Sequence, residues 1–172
     1  MEVSMMKRIG LLALALALLI SSALAESGGP YAFGGFELTV PENVTVEEYD
    51  SSRTVVRDQT RVVVKVIPQE LAEDGEEQVQ ELLTIYNEHT AEITAIPLMS
   101  GLYGAMGLIE DCFGEGIHEV PVLILSDGEL LILAGYNHDG DTLAVHELIT
   151  ELLSGVTLAG EPILPTAATK EK

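Results

Sequence analysis

The chain has 172 residues and a formal net charge of −20 at pH 7, with 28 Asp and Glu against 8 Lys and Arg. A chain this acidic repels phosphate backbones and anionic lipid headgroups, which argues against nucleic-acid binding and electrostatic membrane docking. Cys112 is the only cysteine, so no internal disulfide forms. A domain of this length buries enough surface to fold without one. The partner we expect is therefore a protein or a small ligand of unknown identity.

Residues 1–25 have the pattern of a secretory signal peptide. Lys7 and Arg8 supply the positive charge, and an apolar run over 9–20 precedes the small-x-small sequence Ala23-Leu24-Ala25. This run is shorter than the roughly 20 residues that span a bilayer, although an uncleaved anchor is the alternative. Cleavage removes two positive charges and one negative charge, so the net charge changes from −20 to −21. The pattern predicts a secreted protein, extracellular or periplasmic, with no membrane span after cleavage.

The remaining chain divides by composition into three parts. Residues 26–35 contain four glycines and predict a flexible leader, residues 36–158 predict a single α+β domain, and residues 159–172 predict a flexible tail. In the first half of the domain, β-branched and alternating runs predict an antiparallel meander of four strands, over 36–40, 44–49, 53–57 and 61–67. Apolar residues at helical spacing then predict a helix from Glu76 to about His89.

The second half of the domain is organised around a hairpin at Asp127-Gly128. An Asp-Gly pair between apolar runs predicts a type I′ turn that pairs Leu125 with Leu130. Strands are also predicted at 92–96 and about 105–113, and a second helix at 142–154 with Asp141 as its N-cap and Gly155 after its end. Because the hairpin is apolar on both faces, the pattern predicts an α+β fold in which two helices cover an antiparallel sheet of about 6–7 strands, an α/β/α sandwich.

The polar loop Asn137–Asp141 is the first candidate site. Its oxygen-bearing side chains at positions 1, 3 and 5 match the start of a calcium loop, but Thr142 replaces the glycine needed at position 6 and Leu148 replaces the glutamate at position 12. A polar turn that caps the following helix is the simpler interpretation, and a cation-binding exported protein is the alternative.

Cys112 is the second candidate, as a nucleophile paired with His118 or His138. A thiol–imidazole pair would suit a thiol-dependent hydrolase. However, the acidic neighbours Glu110, Asp111 and Glu115 should raise the pKa of the thiol and so leave it unreactive. The four histidines are scattered without the spacing of a zinc site. No residue is therefore assigned as a catalytic residue, a metal ligand or a cofactor ligand, and no cofactor is predicted.

The order of elements resembles that of the PsbP-like family. The stretch Phe36-Glu-Leu-Thr-Val-Pro41 is similar to the opening strand of that family, which ends in proline, and the likeness of element order covers roughly 35–155. Members often carry a tryptophan after this proline, whereas this chain contains none. The resemblance implies an α/β/α sandwich and a group dominated by non-enzymatic binding or accessory subunits and exported bacterial proteins. It carries over no functional residue. The leading hypothesis is a small, exported, acidic, non-catalytic binding or accessory domain of a bacterium.

Overall fold

The computed structural model describes residues 24–25 and 30–165. Its two helices are α1 (Gly75–Tyr86) and α2 (Thr142–Ser154). Its strands are β1 (Leu24–Ala25), β2 (Pro30–Phe33), β3 (Phe36–Thr39), β4 (Thr45–Tyr49), β5 (Ser52–Arg57), β6 (Thr60–Gln69), β7 (Ala91–Ile96), β8 (Tyr103–Leu108), β9 (Glu119–Leu125), β10 (Gly128–Asn137), β11 (Val156–Leu158) and β12 (Glu161–Pro162). No helix in the described ranges is long and apolar enough to cross a bilayer.

Seven strands form a large antiparallel sheet in the order β4-β5-β6-β10-β9-β8-β7, and the two residues of β1 pair with β4 at its edge. The sheet joins two meanders, β4-β5-β6 and β8-β9-β10, through pairing of the long strands β6 and β10. In the central hairpin, Leu125 pairs with Leu130, which confirms the predicted register.

The two helices lie on opposite sides of the large sheet. On one side, Val79 and Leu83 of α1 pack on alternate residues of β9 and β10, including Leu123 and Ile132. On the other side, α2 packs on the intervening residues, so β9 is buried along its whole length. This arrangement confirms the α+β fold and the predicted sandwich, and the helix over 142–154 has the predicted bounds.

A second sheet, which the sequence did not predict, has the order β12-β11-β3-β2. The prediction that β3 belongs to the first meander was wrong, because β3 pairs with β11 after α2 rather than with β4. Gly155 ends α2 with a negative φ, so its backbone conformation does not require a glycine. Glycine is required there for a steric reason, because a Cβ would collide with the Thr39 carbonyl of β3.

The predicted leader and tail both contribute strands to this second sheet, so the predicted domain boundaries need correction. Gly34-Gly35 is a two-residue hairpin loop that pairs Phe33 with Phe36, and glycines there indicate a turn rather than flexibility. At the other end, Ile163 is fully buried and its carbonyl accepts from the Met99 N–H. Residues 1–23 of the predicted signal peptide, 26–29 of the leader and 166–172 of the tail lie outside the described residues.

The turn at Asp127-Gly128 also differs from the prediction. Gly128 has a φ of +94°, whereas Asp127 is not among the described residues with positive φ. A type I′ turn requires positive φ at both positions, so the predicted turn type was wrong. Positive φ at the second position alone is the pattern of a type II turn, and Gly128 already pairs with Gln69 of β6.

Candidate functional site

In the Asn137–Asp141 loop, side-chain oxygens accept hydrogen bonds from backbone N–H groups of the loop and of the helix that follows. Asn137 is buried, and its Oδ1 accepts from the N–H groups of Asp139 and Asp141 at 2.8 and 3.2 Å. The Asp141 Oδ1 accepts from the Ala144 N–H at 3.1 Å, which is the geometry of an N-cap. Two of the three oxygens proposed as calcium ligands are therefore engaged within the turn. Within the described ranges, no three His, Cys, Asp or Glu side chains are grouped so that they could hold a metal ion.

The structure places Cys112 against a carboxylate rather than an imidazole. The Cys112 thiol donates to Glu119 Oε2 at 3.5 Å, while His118 Nδ1 accepts from the Asp111 N–H at 3.1 Å. Burial and the Glu119 carboxylate raise the pKa of the Cys112 thiol to about 12. The direction agrees with the prediction, but the causes are burial, which is the largest, and Glu119, rather than the neighbours Glu110, Asp111 and Glu115. A thiol that stays protonated at neutral pH is a poor nucleophile.

Glu119 is a functional candidate that sequence reasoning missed. It begins β9, only 7% of it is exposed, and its Oε1 accepts from the Tyr86 hydroxyl at 2.5 Å. Burial raises the pKa of Glu119, while the hydrogen bonds from Tyr86 and Cys112 oppose that rise. Burial beside the same carboxylate also raises the pKa of Tyr86. The three groups form a buried carboxyl cluster that ties the end of α1 to the loop before β9.

From Glu119, a line of side chains crosses the α1 side of the sheet towards β4. Tyr136 of β10 pairs directly with Glu119 and with Arg61 of β6. Arg61 donates from Nη1 to Glu47 Oε2 at 3.0 Å, and the Tyr49 hydroxyl donates to the same oxygen at 3.0 Å. Residues that pair directly across an antiparallel sheet lie on one face. The structure therefore gathers charged and aromatic side chains that lie far apart in the sequence.

We call this region the open face. It is the α1 side of β4, β5 and β6 with the end of β10, and it includes Glu47, Tyr49, Thr54, Arg61, Val63, Lys65, Ile67 and Tyr136. Val63 and Ile67 belong to neither hydrophobic cluster of the described residues. Phe113, which is 49% exposed, packs beside this face with its ring 4.9 Å from that of Tyr136, and Ile67 is 38% exposed. Thr54 is the exception on this face, since it is only 2% exposed and its Oγ1 has no hydrogen-bond partner among the described residues.

Every Lys and Arg of residues 30–165 lies on β5 or β6, as Arg53, Arg57, Arg61 and Lys65. The three arginines pair with Glu48, Glu151 and Glu47 respectively. Arg61 and Lys65 lie on the open face, whereas Arg53 lies on the opposite face of the sheet, beside β2. On the open face, Glu47 balances the charge of Arg61, so Lys65 supplies the remaining positive charge there in a chain that is otherwise strongly acidic.

A cleft of about 410 Å³ lies at one end of the sandwich, between the β2–β3 and β4–β5 turns and the adjoining ends of β6 and β10. Its lining includes Phe33, Val66, Arg53 and Glu129. The Arg53 guanidinium lies 4.8 Å from the centre of the Phe33 ring, and Glu129 Oε2 accepts from the Gly35 N–H at 2.8 Å. Both charged side chains thus line the cleft and contact the β2–β3 hairpin.

Comparison with known proteins places the fold. No family model and no curated protein matches the sequence. The solution structure of the cyanobacterial PsbP (CyanoP) from Synechocystis sp. PCC 6803 is similar with a TM-score of 0.51 and 10% sequence identity, covering 83% of this chain and 99% of that chain. A crystal structure from Bacteroides thetaiotaomicron is similar with a TM-score of 0.50 and 11% identity.

These similarities show that the chain has a PsbP-like fold, as the order of elements predicted. The Bacteroides comparison covers 77% of this chain, which spans about half, 49%, of the length of that protein. Sequence identities of 10–11% establish the fold alone, since one fold hosts many unrelated functions.

Proposed function

We propose that the protein is a small, exported, non-catalytic binding or accessory domain of a bacterium, and that it contacts a protein partner through the open face. The observation that carries this proposal is the open face itself. In a sandwich, a helix normally covers each face of the sheet, but α1 packs on β7, β8, β9 and the first half of β10. Within residues 30–165, the side chains of β4 to β6 on that side join neither hydrophobic cluster.

The composition of the open face also supports a binding role. Tyr136, Phe113 and Arg61 lie together on it, and tyrosine, phenylalanine and arginine are enriched in protein interfaces. Since Arg61 is paired with Glu47, the positive charge of Lys65 is the one that favours an acidic or neutral contact patch on the partner. The buried carboxyl cluster supports the non-catalytic part of the proposal, since its thiol has a pKa of about 12.

The proposal is tested by affinity capture from culture supernatant and envelope extract of the source organism. The matched variants are Phe113→Ser beside the open face and Ile85→Ser on the outer side of α1, where the residue is 77% exposed. We expect a partner that the wild type and Ile85→Ser retain and that Phe113→Ser loses. Capture of the same proteins by both variants, or of no protein over a range of salt concentrations, would contradict the proposal.

A further inference from the structure

The cleft at the end of the sandwich brings two oppositely charged side chains to one face of the large sheet. Arg53 pairs with Val64, and Glu129 pairs with Pro68, which lies four residues further along β6. Residues separated by an even number of positions in a strand point to the same side. Strand geometry places the Cα atoms of Arg53 and Glu129 about 16 Å apart, from a rise of roughly 3.3 Å per residue and a strand spacing of about 4.8 Å. Both side chains reach the β2–β3 hairpin, where Arg53 contacts the Ala32 carbonyl and Glu129 contacts the Gly35 N–H, so their charged groups lie along the same short hairpin.

Neighbouring groups hold Arg53 in place. Its Nη1 donates to the Ala32 carbonyl at 3.1 Å and its Nε to Glu48 Oε1 at 3.0 Å. The guanidinium also lies over the rings of Tyr31 and Phe33, at 5.2 and 4.8 Å from their centres. The contact with Glu48 is an ion pair. Because a guanidinium has five N–H donors, these two hydrogen bonds leave further N–H groups, and a carboxylate bound in the cleft would share the guanidinium with Glu48.

Glu129 is fixed on the other side of the cleft. Its Oε2 accepts from the Gly35 N–H, and its Oε1 lies so close to Gly34 that a Cβ there would collide with it. Gly34 has a φ of +57°, so a glycine is favoured at this position for both conformational and steric reasons. The contact leaves a carboxylate oxygen of Glu129 for a second donor.

We propose that this cleft binds a small zwitterion of the α-amino-acid class, with its carboxylate at Arg53 and its ammonium group at Glu129. Glu129 and Asp50, which both line the cleft, would repel an anion alone, and Arg53 would repel a cation alone. A ligand with both charges can pair with Arg53 through its carboxylate and with Glu129 through its ammonium group. The volume of about 410 Å³ lies within the range of small-molecule sites, which is about 300–1,000 Å³. The apolar walls at Phe33 and Val66 favour an amino acid with an aliphatic side chain. The cleft and the open face share Tyr49 at the β4–β5 turn. Arg53 and Glu129, which would contact the ligand, lie on the opposite side of the sheet from the open face, so ligand binding does not depend on the proposed protein partner.

The test is calorimetric titration of the purified protein with L-leucine, N-acetyl-L-leucine and L-leucinamide. We expect L-leucine to bind and each derivative, which lacks one of the two charges, to bind at least about tenfold more weakly, a difference of about 1.4 kcal/mol. Equal binding of L-leucine and N-acetyl-L-leucine would overturn the zwitterion in favour of a simple anion site. Absence of binding at millimolar L-leucine would overturn the site.

Variants of Arg53 and Glu129 test which side chain binds each charge of the ligand. Arg53→Met and Glu129→Gln should each weaken L-leucine binding by about tenfold or more, because each removes one ionic contact. Arg57→Met and Glu151→Gln are matched controls, since they remove an Arg–Glu pair that does not line the cleft, and they should leave binding unchanged. If Arg53→Met does not fold, as judged by its circular dichroism, Arg53→Lys replaces it and should bind more weakly than the wild type. Unchanged binding in the cleft variants would overturn the assignment.

Discussion

The two halves of the α1 side of the large sheet accommodate their polar groups differently. In the covered half, α1 and the loop before β9 bury Glu119, whose carboxylate receives hydrogen bonds from the neutral hydroxyl of Tyr86 and the neutral thiol of Cys112. In the open half, Glu47 receives a hydrogen bond from the charged guanidinium of Arg61. A buried charge without a charged partner shifts its own pKa, whereas a partly exposed ion pair has access to water. The comparison indicates that the covered half is structural, and it leaves the open half for the binding role that we propose.

The largest expected difference concerns the reactivity of Cys112 in the covered half. Because its thiol has a pKa of about 12 instead of 9.0, its thiolate fraction at neutral pH should be about a thousandfold smaller than that of an unperturbed thiol. Alkylation by iodoacetamide should be slower by a similar factor in the folded protein. Glu119→Gln should accelerate the reaction, because it removes the neighbouring negative charge. Alkylation of the folded wild type at the rate of the unfolded chain would contradict the buried carboxyl cluster.

The second prediction concerns packing in the covered half. Leu83 is fully buried under α1, so Leu83→Ala should lower the free energy of unfolding by about 2–5 kcal/mol through lost burial and the cavity left behind. Ile85→Ala on the same helix is the control, since Ile85 is 77% exposed and its truncation should change stability by no more than about 0.5 kcal/mol. Urea denaturation measures both variants. Equal effects would mean that α1 does not cover this half of the sheet.

The third prediction is a pH dependence with a defined sign. Because burial raises the pKa of Glu119 in the folded state, its contribution to stability is fully present below its unfolded pKa of about 4.3 and is lost as the pH rises through the folded pKa. Relative to Glu119→Gln, the wild type should therefore lose stability as the pH rises above about 4.3 and through the raised pKa of Glu119. Urea denaturation across this range measures the difference between the two proteins.

Glu151 provides a control of opposite sign for the pH experiment. The hydrogen bond from Arg57 lowers the pKa of Glu151, so its contribution to stability is present above its unfolded pKa and is lost as the pH falls through the folded pKa. Relative to Glu151→Gln, the wild type should lose stability towards acid pH. If Glu119 and Glu151 showed the same sign, the assignment of Glu119 as a buried acid without a charged partner would be wrong.

The smallest expected effect belongs to the open half. Arg61→Met removes the ion pair with Glu47, in which the side chains are 32% and 18% exposed. Partly exposed pairs contribute about 0.2–1 kcal/mol, so the free energy of unfolding should change by no more than that amount. The difference should shrink in high salt, which screens exposed charges. A loss of several kcal/mol would mean that Arg61 is a structural residue of the fold rather than part of a binding surface.

Local patterns predicted the elements of this fold better than they predicted which elements meet. The register of Leu125 and Leu130 follows from a short loop between two apolar runs, and the stripe of Val79 and Leu83 correctly predicted the buried side of α1. By contrast, the pairing of Leu38 with Val156 joins two distant segments, and no local pattern encodes it. The same reason explains the missed second sheet, whose outer strands were interpreted as a leader and a tail.

The candidate site was missed because its members come together only in the folded chain. Cys112 was a candidate in the sequence, but nothing there connected it with Glu119 or Tyr86, and acidic residues are too common in this chain for one of them to stand out. The sequence position of Glu119 could have identified it as a buried acid. It directly precedes the apolar run Val120–Leu125 and so begins a fully buried strand. The cleft could not be predicted from the sequence either, because Arg53 and Glu129 belong to different hairpins.

The second sheet links the beginning and the end of the domain, and this has a consequence for the order of folding. During synthesis, β3 can pair with β11 only after all seven strands of the large sheet and both helices have been made. Contacts between such distant segments carry the largest loop-closure entropy and form late when folding is local first. Until β11 is made, the edge of β3 that it will occupy remains available to another strand, so β3 is the part of a nascent chain most in need of protection from mispairing.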